Sequence, residues 1–242
     1  MNTRLPALFL IAFIIGLSAC RKNNDAPTVK LKSNLNITNA SADTVNFYLN
    51  GTRLNNTSSL YPATSSNYLS NVTVGQQNFQ IKKMFNPASS IVQPLFTIPL
   101  TLDTGKYYSL FVGGETVDNA FLVLDFTTAS LTTLGHNTQT GDTAQTTSYV
   151  RFVNASPSAG NLDIAVGDTV KFTNMAFKSA GDFTLVNSGS KTIYAYVHGS
   201  ATPIAKWQVL MAAGNIYTLY SMGALNGTGN SAFNIGVTLN GN

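Results

Sequence analysis

Acidic side chains are scarce in this chain. Of its 242 residues only 10 are Asp or Glu, and Glu115 is the single glutamate. Cysteine occurs once, at Cys20, tryptophan once, at Trp207, and histidine twice, at His136 and His198. One thiol excludes an intramolecular disulfide framework and a multi-cysteine zinc knot. In the sequence the lone Glu115 has no obvious partner carboxylate for the paired acid and base of glycoside hydrolysis. The sequence also lacks a Gly-x-Ser-x-Gly elbow, a His-x-x-x-His pair and an EF-hand run, so it holds no recognisable nucleophile or metal loop. No catalytic residue, metal or cofactor is expected. The stretch Gly223–Asn230, GALNGTGN, lacks the Lys-Ser/Thr ending of a phosphate cradle and reads as a flexible connection between strands.

Charge is equally sparse, at 10% of residues, and its distribution removes nucleic acid from consideration. The formal charge is +4. Arg4, Arg21, Lys22, Lys30 and Lys32 all precede residue 35, and beyond that point basic and acidic residues balance. Without a basic face the electrostatic term that dominates nucleic-acid binding is missing.

Long apolar runs are confined to the start. Ala7 to Leu17 follows Arg4 and is about half the roughly 20 residues that a spanning helix needs, so residues 1–19 read as a secretory signal peptide. Leu17, Ser18, Ala19 and Cys20 are similar to the lipobox of bacterial lipoproteins. That resemblance implies an acylated Cys20, palmitate among its acyl groups, and cleavage before it. Two or more acyl chains anchor firmly where one does not. Arg21, in place of aspartate after the cysteine, points to the outer membrane in the best-known sorting scheme. Polar residues 20–34, with Pro27 and no apolar period, read as a tether.

Ser, Thr and Asn make up about a third of the chain, a composition that disfavours helix and suits strands joined by turns. An internal repeat organises it. Leu35–Ser41, LNITNAS, matches Val150–Ser156, VRFVNAS. Val45, Phe47 and Leu49 then match Leu162, Ile164 and Val166 at an offset of 117, each set running into a turn signal, Asn50-Gly51 or Gly167-Asp168. Gly75 matches Gly189 at an offset of 114, and both copies close on an apolar strand. The expected fold is all-β: two tandem antiparallel β-sandwiches, immunoglobulin-like or transthyretin-like, at residues 35–134 and 149–242, with a Thr/Gln/Gly-rich linker at 135–148. Period two puts Phe47, Phe79 and Ile81 in one core and Phe152, Ile164 and Ile193 in the other. It leaves Asn46, Tyr48, Asn161 and Asp163 outside. Leu131 and Leu134 extend the last strand of the first copy. On a slack linker the copies unfold separately.

Tyr149–Pro157, YVRFVNASP, with Ala213–Thr218, AGNIYT, resembles the opening and a later strand of the bacterial envelope module called domain of unknown function 4397. The first copy fits it more loosely. The resemblance implies tandem sandwiches on a tethered lipoprotein and brings no catalytic residue with it. The expected function is a non-enzymatic envelope lipoprotein, a spacer or interaction module for envelope proteins. The alternative is glycan binding or adhesion, accessory to polysaccharide uptake. Trp207 is the candidate stacking residue for that alternative, with tyrosines such as Tyr61, Tyr68, Tyr194 and Tyr196 as further rings. Asp-Thr-apolar triplets make Thr143, Thr44 and Thr169 candidate O-glycosylation sites.

Overall fold

Both tight turns read from the sequence form as their residues require. Asn50 and Gly51 take φ of 50° and 78°, as a type I′ hairpin demands, and Gly167 takes 66° ahead of Asp168. The computed structural model describes residues 31–55, 58–86, 91–133 and 146–240. The signal peptide, Cys20 with its lipobox, and the linker segment carrying His136 and Thr143 lie outside the described residues. The first copy runs through β1 (Lys32–Asn39), β2 (Val45–Leu49), β3 (Thr52–Arg53), β4 (Thr64–Ser65), β5 (Leu69–Thr73), β6 (Gly75–Asn86), β7 (Ile91–Leu102), β8 (Lys106–Val112) and β9 (Ala120–Thr127) to a short helix, α1 (Thr128–Thr133). The second has β10 (Thr147–Val153), β11 (Leu162–Val166), β12 (Thr169–Met175), β13 (Thr184–Asn187), β14 (Gly189–Val197), β15 (Pro203–Met211), β16 (Ile216–Met222) and β17 (Asn234–Leu239).

Each copy is a sandwich with the same strand order. In the first, β4-β1-β8-β9 faces β3-β2-β6-β7, with β5 also paired to β1; in the second, β13-β10-β16-β17 faces β12-β11-β14-β15. Duplication of sequence is therefore duplication of topology. The pairing is antiparallel with one exception per copy, β1 with β8 and β10 with β16, which are parallel. An immunoglobulin sandwich keeps its first two strands in one sheet. Here β1 and β2 lie in different sheets, which leaves the transthyretin-like alternative. Phe47, Phe79, Ile81, Leu110 and their neighbours fill the first core, and Phe152, Ile164, Ile193 and Leu219 the second.

A third apolar cluster joins the copies. Ala40, Phe111 and Val123 of the first pack with Val153, Ala155, Tyr220 and Met222 of the second. Phe111 and Tyr220, matched residues of the two copies, meet with ring centroids 5.8 Å apart. The sheets containing β1 and β10 are thus buried on both faces, one against their own sandwich and one against the other copy. Every residue of β16 is buried accordingly. Residues 31–242 form one compact unit, and the linker expected to be slack joins copies that are packed against each other, which argues against separate unfolding.

A buried polar network lies beside the cluster. Arg151 donates to Asp125 and, at 2.9 Å, to Thr218 Oγ1; side-chain exposure of the ion pair is 3% and 0%. Asp125 also accepts the hydroxyls of Ser109, at 2.7 Å, and Tyr68. Asn240 donates to Tyr68 Oη at 3.0 Å, and the Arg151 guanidinium lies 4.6 Å from the Phe183 ring centre. The Tyr220 hydroxyl is buried without a partner, and burial raises its pKa.

Three local expectations differ from the structure. Strand β1 begins at Lys32, inside the segment read as tether. Its polar residues hide the strand, yet Ser33 is buried and donates to Lys106 O at 3.3 Å. Asn46 is buried, not outward, because the loop after β3 folds over it and Asn55 Nδ2 donates to its Oδ1 at 3.0 Å. Residues 128–133 form α1 and do not extend β9; Ser130 Oγ accepts the Thr127 amide at 2.8 Å and starts the turn.

Unfolding of the two copies is expected as one calorimetric transition. Arg151→Ala leaves Asp125 buried without its cation and should lower stability by about 3–5 kcal/mol, most of it recovered when Asp125→Asn is added. Two resolved transitions in the wild type contradict the seam. Burial, and then the Asp125 carboxylate, push the Tyr68 phenol well above its ordinary range. The unfolded chain ionises this residue near pH 10 while the folded chain resists, so its contribution is complete below about pH 10 and declines as pH rises further. Denaturant titrations from pH 8 to 11 should show a steeper alkaline loss in the wild type than in Tyr68→Phe.

Candidate functional site

Burying one sheet of each copy in the seam leaves the other two sheets to face solvent. Their outer faces differ. Along β14, Ile193 and Ala195 point into the core, and alternation turns Tyr194 and Tyr196 outward. The two rings stand 6.4 Å apart at 32°. Lys206 Nζ, opposite Tyr194 on β15, is 5.6 Å from its ring centre. Next to Tyr196, Asp163 on β11 takes His198 Nδ1 at 2.9 Å and the Asn174 amide at 2.7 Å. Burial pushes the Asp163 carboxyl up, but the Asn174 amide and the His198 ring outweigh it and hold it below its ordinary value. The matched positions on β6 of the first copy are Gln80 and Lys82, at the offset of Gly75 to Gly189. An equivalent strand forms without tyrosine there, so this ring pair is not a requirement of the fold.

Trp207 is 45% exposed on the edge strand β15. It pairs with Ile193, so it stands on the opposite face of the sheet from Tyr194 and Lys206. The structure therefore does not bring Trp207 and the tyrosine pair together. Tyr68 lies in the seam, and Tyr61 is 52% exposed in the first copy. Of the modification candidates, Thr169 is exposed at the start of β12 and Thr44 is half-buried. The stretch from Gly223 is tightly packed: a Cβ at Gly223 would fall 2.2 Å from Ala232 O, and one at Gly227 1.9 Å from Ser231 O. Close backbone approach explains Gly223 and Gly227, and a positive φ of 58° explains Gly229.

The matched tripeptides Asn39-Ala40-Ser41 and Asn154-Ala155-Ser156 serve architecture. Asn154 Nδ2 donates to Gly160 O at 2.9 Å and Met175 O at 2.8 Å, and its Oδ1 accepts the Ser156 amide and Ser221 hydroxyl. Asn39 does the equivalent with Asp43 O, Leu60 O and Ser41. At the same end of both copies a cleft of about 310 Å³ is lined by Ala40, Gly113, Pro157 and Gly223 among others. At its rim Lys83 bridges Asp43 at 2.7 Å and Glu115 at 2.6 Å. Hydrogen bonds to Asp43 and then Glu115 raise Lys83, and the bond from Lys83 holds Glu115 low. Among the described residues no group of three or more His, Cys, Asp and Glu could hold a metal ion, and no helix is long and apolar enough to cross a membrane.

The geometry defines a class: two duplicated all-β sandwiches fused through their inner sheets, with a ring pair on one outer face. Within it, residues 148–238 match the family described as Domain of unknown function (DUF4397), which covers the second copy. No curated protein matches the chain. Among solved structures, it aligns with a crystal structure of CBMbc (family CBM26) from Eubacterium rectale Amy13K in complex with maltoheptaose. Identity is 8% over 86% of this chain and 96% of the other, with a TM-score of 0.26, a likeness too low to bear on ligand or mechanism.

Replacing the ring pair by the first copy's residues, Tyr194→Gln with Tyr196→Lys, should change unfolding free energy by no more than about 1 kcal/mol, as for other surface substitutions. A much larger loss would mean that the rings are structural.

Proposed function

We propose that this protein is a non-enzymatic interaction module, held at the outer membrane of a bacterial envelope by acyl groups on Cys20, and that its outward sheets meet other envelope proteins. The observation that carries this reading is the seam, which makes two sandwiches one stiff body and leaves two broad strand faces free. The surface ion pairs among the described residues are small sets, Asp163 with His198, Asp103 with Lys106, and Lys83 with its two carboxylates. Such sets lend themselves to bracing loops, not to proton transfer chemistry. A rigid spacer on a polar tether suits presentation of a binding surface clear of the lipid.

A second reading, glycan capture, is favoured by the half-exposed Tyr194 and Tyr196, whose rings are amphipathic and lie among hydrogen-bonding groups. The tyrosine face, more than Trp207, is then the place of contact.

Metabolic labelling with radioactive palmitate in a bacterial host should mark the wild-type chain and not Cys20→Ala, and only the labelled form should sediment with membranes. Label retained by the variant would remove the anchor. On a glycan array, capture abolished by Tyr194→Gln with Tyr196→Lys would select the second reading, and an array without any signal the first.

A further inference from the structure

We propose that the second copy carries an anion-binding cleft, at the β11–β12 turn, for a sugar-sized ligand bearing a carboxylate or phosphate. A cleft of about 380 Å³ opens there between the edge strands of the two sheets, β12 and β13. That volume lies within the roughly 300–1,000 Å³ of small-molecule sites. Lys171 and Lys191 line it together with Thr147, Thr169 and Asn187, and Asp168 contributes the one carboxylate of the wall. Neither lysine makes an ion pair among the described residues. Two cations against one carboxylate leave the wall positive, in a folded body whose charges balance as a whole.

The first copy acts as a control for what the fold needs. In its equivalent hairpin Tyr48 opposes Arg53, and the Leu54 amide bonds directly to Phe47 O at 2.8 Å, without a bulge. In the second copy Ala165 opposes Val170 and Ile164 opposes Phe172, so Lys171 is the extra residue of a β-bulge. Bulges re-aim side chains and are enriched beside binding sites. The Leu54 side chain packs on the first core, and Phe172 fills the corresponding place in the second. The inserted lysine is therefore not serving the core. Lys191 stands where the first copy has Gln77, at the offset of Gly75 to Gly189. Both cations are thus additions particular to one copy, and both face one cleft. Ammonium groups beside hydroxyl and amide donors suit an oxyanion, and charge-assisted bonds are the stronger kind. The cleft lies apart from the outward tyrosine face, so neither proposal depends on the other.

The test is a nuclear magnetic resonance titration of the full chain in nonionic micelles with glucuronate, glucose 6-phosphate, glucose and inorganic phosphate. Glucuronate or glucose 6-phosphate should shift the amides of Gly167, Thr169 and Asn187, and glucose should not. Lys171→Gln and Lys191→Gln should each weaken binding about tenfold, equivalent to about 1.4 kcal/mol, with unchanged melting temperature, and Lys191→Arg should retain it. Glucose binding as well as glucuronate, binding undiminished in the double variant, or no shift with either sugar anion at about ten times the millimolar range expected of weak ligands overturns the proposal. Binding of inorganic phosphate as tightly as of glucose 6-phosphate overturns the sugar-sized ligand and marks a site for free phosphate.

Discussion

The buried pair of Arg151 and Asp125 is the constraint around which this body is arranged. A cation and a carboxylate that are both withdrawn from water must stay together, because parting them strands a charge in a low-dielectric interior. One belongs to the second copy and the other to the first, so the pair holds the β10 sheet against the β1 sheet. The position matched to Arg151 in the first copy is Asn36, which donates to Ser109 at 3.4 Å. The seam is thus symmetric in its apolar centre, where Phe111 meets Tyr220, and asymmetric in its charges. Two second copies placed face to face would bury two guanidinium groups at one seam. The charge pattern favours joining one copy of each kind.

Once the inner sheets are committed, the remaining surface is decided by subtraction. The sheets that contain β6 and β14 are left to solvent, and there the two copies have diverged. Gln80 and Lys82 mark the first, Tyr194 and Tyr196 the second. The bulged Lys171 and the lysine-lined cleft beside it likewise belong to the second copy, the one matched by the family. A duplicated scaffold separates what folding demands, which recurs in both halves, from what one half has added.

Much of this was legible beforehand. Alternation in VNFYL and LDIAV marked the strands and their core residues, and the shared NAS tripeptide, now seen as an asparagine that ties loop carbonyls, marked the duplication. The seam had a signal too: IYTLYSM in β16 and YYSLFV in β8 are apolar on both parities, the pattern of a strand buried on two faces. It was obscured by Arg151, which reads as a surface residue until its partner 26 positions away is known. Asn46 was misplaced for a similar reason, since a loop and not a sheet covers it.

Composition and period therefore determined the all-strand class, the two copies and their turns, because side-chain direction along a strand and φ at a glycine are local properties. Which sheet of each copy would be hidden, which face of β14 and β15 each ring would occupy, and that Lys171 and Lys191 would line one cleft were decided only in three dimensions. Those outcomes depend on strand order, bulges and the pairing of distant charges, and none of these is encoded within the span of a single strand.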